Sequence, residues 1–262
     1  MKILITGGNG YIAKSLNKAF KDAYDVTLIT RQDFDLLDSR AVNAWFEDKY
    51  FDVVIHTAVA GGSRLKPDIA EVLDINLIMY YNLIGNGDRF DKFIHFGSGA
   101  ELLMKDTPYG LSKHIIRESL MIKQSCYNIR IYGVFDENEL DTRFVKSNIK
   151  RYINKEPMMI QDKRMSFFYM QDLITLVKHH IDTDASKLMQ ECSCAYLSET
   201  SLLDVANMIN DLGEYQVPIF MDTQPSMDYW SDLNAPYGLK YVGLRQGIKN
   251  TYNKLKNSYD HF

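Results

Sequence analysis

A tyrosine and a lysine lie four residues apart, at Tyr109 and Lys113, just after Pro108. Positions i and i+4 share one face of a helix, so the phenol and the ammonium would point into the same space. A nearby ammonium favours the phenolate form and lowers the pKa of a tyrosine from about 10. Such a tyrosine can exchange a proton with a carbinol oxygen near neutral pH. A plain surface pair is the alternative, and the rest of the N-terminal half decides between them.

A glycine-rich turn follows the short apolar run at residues 1–6 and precedes a helix-like segment. Gly7 permits a tight turn, and Gly10 lets the backbone approach a pyrophosphate. The helix N-terminus supplies N–H groups and a partial positive charge. The third small position is Ala13, which close packing of helix on strand tolerates. This strand, turn and helix are the context that a dinucleotide-binding motif requires.

The second expected strand, at residues 25–30, indicates which cofactor is bound. NAD-specific folds usually have an acidic residue at its end to hold the ribose 2′-OH. Here Arg31 follows Thr30, and a guanidinium suits a 2′-phosphate. The sequence therefore favours NADP, with NAD possible because Asp33 and Asp35 lie close by. A solvated loop arginine is the alternative interpretation.

Apolar strands alternate with helical stretches in the first half of the chain. The expected strands are 3–6, 26–30, 53–57, 93–97 and 128–132, and the helices begin near residues 11, 41, 69 and 109. This alternation predicts an α/β fold with a Rossmann-type, doubly wound parallel sheet, and sites at the carboxyl ends of its strands. We expect an NAD(P)-binding domain at residues 1–134.

Residues 135–262 predict a smaller C-terminal lobe, with some segments returning to the first domain. Helices are expected at 142–154, 172–181, 202–212 and 242–255, short strands at 158–160 and 167–170, and a loop-rich stretch at 214–240.

The composition excludes several classes of function. The chain has 262 residues and a net charge of −4, from 30 basic and 34 acidic residues, which gives no reason to expect nucleic acid or an anionic membrane as a partner. None of the three cysteines belongs to a CxxC pair or a Cys/His cluster, so no metal is expected. No signal peptide and no membrane-length apolar run is found, which predicts a cytoplasmic protein.

Six short motifs follow one another along the chain. They are Thr6-Gly7-Gly8-Asn9-Gly10-Tyr11-Ile12-Ala13, Asp35-Leu36-Leu37-Asp38, His56-Thr57-Ala58-Val59, Phe96-Gly97-Ser98, Tyr109-x-x-x-Lys113 and Arg130-Ile131-Tyr132-Gly133-Val134-Phe135. In this order they resemble the extended short-chain dehydrogenase/reductase family, of the NAD-dependent epimerase/dehydratase type. Residues 33–62 are most similar to GDP-L-fucose synthase and related nucleotide-sugar reductases.

The resemblance implies a set of cofactor contacts. Asp35 and Leu36 would flank the adenine ring, Ala58 and its neighbours would pass under the cofactor, and Asn76 would support Lys113 through water. The full set is Gly7, Asn9, Gly10, Tyr11, Ile12, Arg31, Asp35, Leu36, Thr57, Ala58, Val59, Asn76 and Lys113.

The resemblance also assigns the catalytic roles. Ser98 would hydrogen-bond the substrate carbonyl, Tyr109 would donate the proton, and Lys113 would hold the nicotinamide ribose and tune Tyr109.

Two departures from the family pattern concern the substrate. The segment between Ser98 and Tyr109 is shorter than in typical relatives, and Met165 stands where relatives offer an arginine to the nucleotide diphosphate. Arg164 or Arg143 would take that role, in a C-terminal lobe that binds substrate.

The implied function is an NADPH-dependent reductase of a keto nucleotide-linked sugar, with the 4-keto position favoured, serving activated deoxysugar or heptose biosynthesis for surface polysaccharide. An epimerase that retains NAD is the alternative. A 4,6-dehydratase fits less well, because Gly99 and Ala100 follow Ser98 where that chemistry has an acid pair, and Glu101 comes one place later. A non-enzymatic NADP-binding protein is the third possibility.

Relatives dimerise through two helices, here those expected from residues 69 and 109, which implies a homodimer.

Overall fold

The computed structural model describes residues 1–63, 66–222, 224, 226–231 and 237–259. The chain forms two compact units. The first comprises Met1–Arg130 and Val177–Cys192, and the second comprises Ile131–Leu176 and Ser193–Phe262. The first segment of this first unit ends four residues before the boundary expected at residue 134. A later segment, Val177–Cys192, belongs to the same unit.

The strands, in chain order, are β1 (Lys2–Ile5), β2 (Asp25–Leu28), β3 (Phe51–His56), β4 (Phe90–Ser98), β5 (Cys126–Ile131), β6 (Val134–Phe135), β7 (Met158–Gln161), β8 (Phe168–Tyr169), β9 (Glu191–Ser193) and β10 (Ile219–Asp222). The helices are α1 (Tyr11–Phe20), α2 (Ser39–Phe46), α3 (Glu71–Ile84), α4 (Ala100–Leu103), α5 (Pro108–Met121), α6 (Phe144–Ile153), α7 (Met170–Asp182), α8 (Leu202–Asn210) and α9 (Leu244–Tyr259).

The main sheet has six strands in the order β2-β1-β3-β4-β5-β9. β1 pairs in parallel with β2 and β3, and β3 pairs in parallel with β4. In β3 every residue but Asp52 is buried, which is typical of a parallel strand covered on both faces. The predicted Rossmann-type parallel sheet is confirmed.

Packing in the first unit places α3 and α5 side by side. Tyr80 and Leu83 of α3 join Phe93 of β4 and Leu120 of α5 in one buried apolar cluster. Because α5 is held against the sheet in this way, the side chains at its beginning have fixed positions next to the carboxyl end of β4.

The second unit contains two small parallel pairings, β6 with β8 and β7 with β10. Its apolar cluster includes Val145 and Ile149 of α6, Val205 of α8 and Ile248 of α9. A capping box begins α8, in which the Ser201 and Asp204 side chains each bond to the backbone N–H of the other residue.

The sequence pattern missed three strands, and β6 is a two-residue strand just after the expected strand 128–132. β9 is too short for an apolar pattern, and it is the sixth strand of the main sheet. β10 lies inside the expected loop-rich stretch 214–240, of which residues 223, 225 and 232–236 lie outside the described part of the chain. Cys126, Cys192 and Cys194 are buried thiols. In the described residues no group of three or more His, Cys, Asp or Glu could hold a metal ion, and no helix is long and apolar enough to cross a membrane.

Candidate active site

A cavity of about 310 Å³ opens in the first unit, where β1, β2 and β3 end. Parallel sheets bind ligands at this position. Its lining is Gly7, Gly8, Asn9, Gly10, Ile29, Thr30, Arg31, Phe34, Asp35, Leu36, Thr57, Ala58, Val59 and Met79. Most of the predicted cofactor residues are therefore brought together here, and their role in binding stays a prediction.

The glycine turn gives this cavity the shape that a dinucleotide needs. Gly7 has a φ of +70°, and a Cβ there would lie 2.7 Å from the backbone nitrogen of Ala58. Gly10 precedes α1, and its position supplies no side-chain cap. The first N–H groups of a helix have no partner within it, so a pyrophosphate fits against this end. The residues present thus fit a nicotinamide dinucleotide.

Four predicted cofactor residues lie outside the lining of the cavity. Tyr11 and Ile12 begin α1, and Lys113 is on α5. Asn76 of α3 accepts from the N–H of Ala60 at 2.8 Å and donates from Nδ2 to the carbonyl of Ala60 at 3.0 Å. These bonds hold the loop after β3 against α3. The predicted support of Lys113 by Asn76 stays untested.

The sequence did not predict the apolar part of this cavity. Ile29, Phe34 and Met79 line it, beside the predicted adenine neighbours Asp35 and Leu36. A signal existed in the apolar residues that alternate with Asp33 and Asp35 after β2.

Hydrogen bonds distinguish the charged groups that follow β2. The Asp33 carboxylate accepts from the N–H of Thr30 at 2.8 Å and from its hydroxyl at 3.0 Å. Both bonds go to Oδ2, and they lower the pKa of Asp33 and hold that oxygen in the turn. Asp35 accepts from the N–H of Leu37 at 3.0 Å. Arg31 is exposed and lines the cavity, and no described residue forms an ion pair with it.

Tyr109 and Lys113 lie in the first two turns of α5, as predicted. Thr107 caps this helix by accepting from the N–H of Gly110 at 3.1 Å, and Pro108 takes the first helical position. The Lys113 ammonium lies 5.9 Å from the centre of the Tyr109 ring. The two side chains therefore share one face of the helix.

Lys113 is buried, with 5% of its surface exposed. Its Nζ donates to the carbonyl oxygen of Phe96 at 2.7 Å and lies 3.4 Å from Nε2 of His95. Both partners are on β4, which ends at Ser98. Burial lowers the pKa of Lys113 to about 8, against the opposing charge of Glu101.

The loop after β3 holds the ring of Tyr109 from the other side. Gly62 has a φ of +71°, and a Cβ there would lie 2.8 Å from Cζ of Tyr109. The N–H of Gly62 donates to Asp68 at 2.8 Å. Asn76 connects the same loop to α5, because its Nδ2 also donates to the Ser112 hydroxyl at 3.0 Å. Gly62 lies at the end of the stretch 33–62 that carries the family likeness, and the sequence did not predict its contact with Tyr109.

Ser98 is buried at the end of β4, where its Oγ accepts from the N–H of Ala100 at 3.2 Å. Its own N–H donates to Oε2 of Glu101 at 3.1 Å. A Cβ at Gly97 would lie 2.5 Å from both Glu101 and Asn128, so only glycine fits between them. The backbone of Ser98 is thus fixed by a carboxylate below it.

Glu101 forms a buried ion pair with Arg130, with Oε1 and Nε 2.6 Å apart. Their side chains are 0% and 1% exposed. Arg130 also reaches Glu191 at 2.8 Å, and Glu191 pairs with Arg117 at 2.7 Å. Burial raises the pKa of Glu101 although Arg130 opposes the shift. A carboxylate enclosed in this way does not reach substrate, so Glu101 does not replace the acid pair that is absent at positions 99 and 100.

The short segment between Ser98 and Tyr109 folds into α4 and packs directly on α5. A Cβ at Gly110 would lie 1.9 Å from the carbonyl oxygen of Met104. The hydroxyl of Thr107 donates to the same carbonyl at 2.8 Å. This short segment is therefore a compact helix held against α5.

The two predicted substrate arginines lie in the second unit and differ in their partners. Arg164 pairs with Asp228 at 2.6 Å and with Glu199 at 2.5 Å, and its guanidinium lies 4.7 Å from the Trp230 ring. Two carboxylates already balance its charge, which weakens the case for a diphosphate ligand. Arg143 precedes α6, and no described carboxylate forms an ion pair with it. Both roles stay predictions.

Comparison with known proteins identifies the fold and its relatives. The profile of the NAD dependent epimerase/dehydratase family matches residues 3–192. CDP-abequose synthase of Yersinia pseudotuberculosis is 22% identical over 241 residues, which are 81% of this chain and 84% of the relative.

Two solved structures share the fold over almost the entire chain. A GDP-mannoheptose C4 reductase from Campylobacter jejuni with NADP bound has a TM-score of 0.79 at 18% identity, covering 97% of this chain and 98% of its own. UDP-glucose 4-epimerase from Thermotoga maritima with UDP-glucose has a TM-score of 0.80 at 15% identity, covering 99% of this chain and 100% of its own.

Proposed function

The chain belongs to the NAD dependent epimerase/dehydratase family and is an NAD(P)-dependent oxidoreductase, and we propose that it is an NADPH-dependent reductase of a 4-keto nucleotide-linked sugar. The observation that carries the proposal is the Tyr109–Lys113 pair on α5, tied to β4 beside Ser98. This pair lies in the same unit as the glycine-lined cavity.

In this reaction the side chains of the protein transfer a proton to the oxygen of a ketone that is being reduced. NADPH, when bound, supplies the hydride to the carbonyl carbon and leaves as NADP⁺. The Ser98 hydroxyl polarises the carbonyl by donating to its oxygen, and Tyr109 gives its phenolic proton to that oxygen as the alcohol forms. The positive charge of Lys113 stabilises the phenolate left on Tyr109.

Two observations support NADPH over NADH. Arg31 lies at the cavity, and no described ion pair occupies it, so it is available for a 2′-phosphate. Asp33, one of the two acids near the end of β2, has its Oδ2 engaged by the N–H and the hydroxyl of Thr30. Asp35 lines the cavity without reversing this preference, because one of its oxygens accepts from Leu37.

The substrate class rests on the relatives. The names of two of them give a CDP-linked and a GDP-linked sugar, and one of these is a C4 reductase acting on a heptose. We infer a substrate of this kind, a nucleotide-linked deoxysugar or heptose destined for surface polysaccharide. Arg143 is the stronger candidate for the diphosphate, since carboxylates hold Arg164.

We infer a homodimer through α3 and α5, which lie side by side in the first unit. Ile78 and Tyr81 of α3 are large apolar side chains that are 43% and 49% exposed. A second copy that packed its own α3 and α5 against them would remove this surface from water. Light scattering on the purified protein tests this, and a monomer would reject it.

A nucleotide-sugar 4-epimerase is the second candidate. The fold it shares with UDP-glucose 4-epimerase, at a TM-score of 0.80, favours it. The two reactions differ in the fate of the cofactor, because an epimerase returns the hydride to the same substrate and consumes none.

The deciding experiment follows NADPH and NADH oxidation against 4-keto sugars linked to GDP, CDP, dTDP and UDP. Stoichiometric NADPH consumption with one of them supports the reductase. The Tyr109→Phe variant should then bind NADPH normally and lose most turnover. Absence of consumption, together with NAD released from denatured protein and interconversion of C4 epimers, would replace the reductase with the epimerase. A chain that binds NADPH and is indifferent to Tyr109→Phe would be a binding protein.

A further inference from the structure

A row of buried polar side chains crosses the sheet beneath the active site. Thr6 follows β1, His56 ends β3, His95 lies on β4 and Lys113 on α5, and each is at most 5% exposed. His56 and His95 are direct partners in the register of the two parallel strands. Their rings lie 5.5 Å apart at an angle of 31°. The row joins the floor of the cofactor cavity to the ammonium of Lys113.

Hydrogen bonding at Thr6 determines the tautomer of His56. The Thr6 hydroxyl oxygen accepts from the N–H groups of Thr57 and Ala58, both at 3.2 Å. A hydroxyl has one donor hydrogen and two acceptor sites, so its remaining capacity is the O–H. That O–H is donated to Nδ1 of His56 at 2.9 Å. The proton of the neutral His56 ring is therefore on Nε2.

The opposite tautomer follows for His95. An ammonium only donates, so Nε2 of His95, 3.4 Å from Nζ of Lys113, is the acceptor. The ring proton then lies on Nδ1, for which no described residue is a hydrogen-bond partner. Burial and the nearby positive charge of Lys113 lower the pKa of both rings, to about 3 for His56, so both stay neutral.

A buried N–H without a partner destabilises the folded state, and a phenylalanine at position 95 would avoid this loss. The aromatic surroundings would suit phenylalanine, because the Tyr80 ring packs edge-on at 6.3 Å. The histidine offers one thing that phenylalanine lacks, an acceptor facing Lys113. We therefore attribute the presence of a histidine at position 95 to this acceptor.

We propose that His95 is a positioning residue for Lys113 and holds the ammonium through Nε2. The neighbouring His56 ring is fixed by its hydrogen bond with Thr6. This inference rests on the catalytic role proposed for Lys113. Two of the three ammonium hydrogens go to Phe96 and His95. The third remains for the face of α5 that Lys113 shares with Tyr109, whose ring centre lies 5.9 Å from Nζ.

The first test reads the tautomers directly by NMR in protein carrying ¹⁵N-labelled histidine. The six histidines are assigned by substitution. We expect His95 protonated on Nδ1 and His56 on Nε2 at neutral pH. A His95 that carries its proton on Nε2, or is charged, cannot accept from Lys113 and would overturn the proposal. This readout uses the wild-type protein and needs no substrate.

The second test compares His95→Phe, which keeps the ring, with His95→Gln, which keeps an acceptor near Nε2. The titration of Lys113 is followed in protein with labelled lysine, its signal identified by Lys113→Met. The titratable groups that face it are Glu101 of α4, Tyr109 of its own helix and the neutral rings of His95 and His56. Loss of an acceptor disfavours the charged form, so His95→Phe should lower the midpoint and His95→Gln should restore it.

Activity separates a positioning role from a packing role. His95→Phe should lower kcat by about tenfold with little change in KM, because a displaced lysine weakens the transition state more than binding. His95→Gln should recover most of it. Equal titration and kcat in His95→Phe and wild type would reject the proposal. The failure of the proposed function is separate, since it would appear as full activity in Tyr109→Phe and Lys113→Met.

Discussion

Gly62 lies so close to the ring of Tyr109 that any side chain at this position would collide with it. A Cβ would be 2.8 Å from Cζ and 2.9 Å from Cε2 of Tyr109. The contact fixes the phenol from the loop after β3, while α5 fixes it from the backbone. We expect Gly62→Ala to displace the phenol and to lower kcat by about a hundredfold.

The control for Gly62→Ala must carry the same backbone strain without the collision. Gly238 has a φ of +57°, against +71° at Gly62, and a Cβ there meets nothing within 4 Å. Gly238→Ala should therefore lose a similar amount of stability and keep its kcat. Steady-state kinetics with thermal denaturation of both variants make the comparison. A Gly62→Ala variant with normal kcat would show that Tyr109 is not held by this loop.

The Glu101–Arg130 pair predicts a large and coupled effect on stability. Breaking a buried pair by removing one partner costs about 3–5 kcal/mol. Arg130→Met leaves the enclosed Glu101 without its counter-charge, whereas Glu101→Gln leaves Arg130 with Glu191. Arg130→Met should therefore be the more destabilising change, and the double variant should lose less than the sum of the two.

The stability of these variants should also depend on pH in a defined direction. Without Arg130, the pKa of Glu101 would rise further above its unfolded value, and the native state would bind the extra proton. Stability then falls as pH rises, so Arg130→Met should lose less near about pH 5 than near about pH 8. Urea denaturation at both pH values measures this. Additive losses that do not change with pH would contradict a coupled pair.

The sequence predicted features whose cause is local. The spacing of Tyr109 and Lys113 needs only a helix to bring them together, and the glycine turn needs only a strand before it and a helix after it. Both are properties of a short stretch of chain. The parallel sheet followed from the alternation of apolar strands with helices, because that alternation repeats along the first half of the chain.

The features that were missed depend on residues far apart in sequence. His56 and His95 become neighbours only through the register of β3 with β4. Glu101 meets Arg130 only after β5 lies beside β4. β9 has three residues and no apolar period, and its place is marked by the bond from the N–H of Asn128 to the carbonyl of Gln190. No local pattern specifies these contacts.

The buried ammonium of Lys113 predicts opposite effects of pH on activity and stability. Its pKa is about 8 in the folded chain and 10.5 as the ordinary value. Because the charged form is the active one, kcat/KM should fall as pH rises through about 8. Between about 8 and 10.5 the unfolded chain binds more protons than the folded one, so the contribution of Lys113 to stability rises with pH.

Lys92 supplies the control for this pH dependence. It is another lysine with a lowered pKa, and its ammonium donates to the carbonyls of His180 and Ile181 at 3.1 and 2.9 Å. Lys92→Met should weaken the fold and leave the alkaline fall in kcat/KM in place. Lys113→Met should lose most activity at every pH. An alkaline fall that starts well above the pKa of Lys113 would mean that its charge is not required.

Arg31 predicts the cofactor preference by itself. A hydrogen bond to a charged group is worth about 1.5–3 kcal/mol, and about 1.4 kcal/mol is a factor of ten in affinity. Arg31→Ala should therefore weaken NADPH binding by roughly ten- to a hundredfold and leave NADH binding nearly unchanged. Asp33→Asn is the matched control, because its carboxylate is bonded to Thr30 and should affect the stability of the turn more than the ratio of the two affinities. Fluorescence titration of both variants with both cofactors measures that ratio. Equal weakening of NADPH and NADH by Arg31→Ala would place the 2′-phosphate elsewhere and would remove the main support for NADPH.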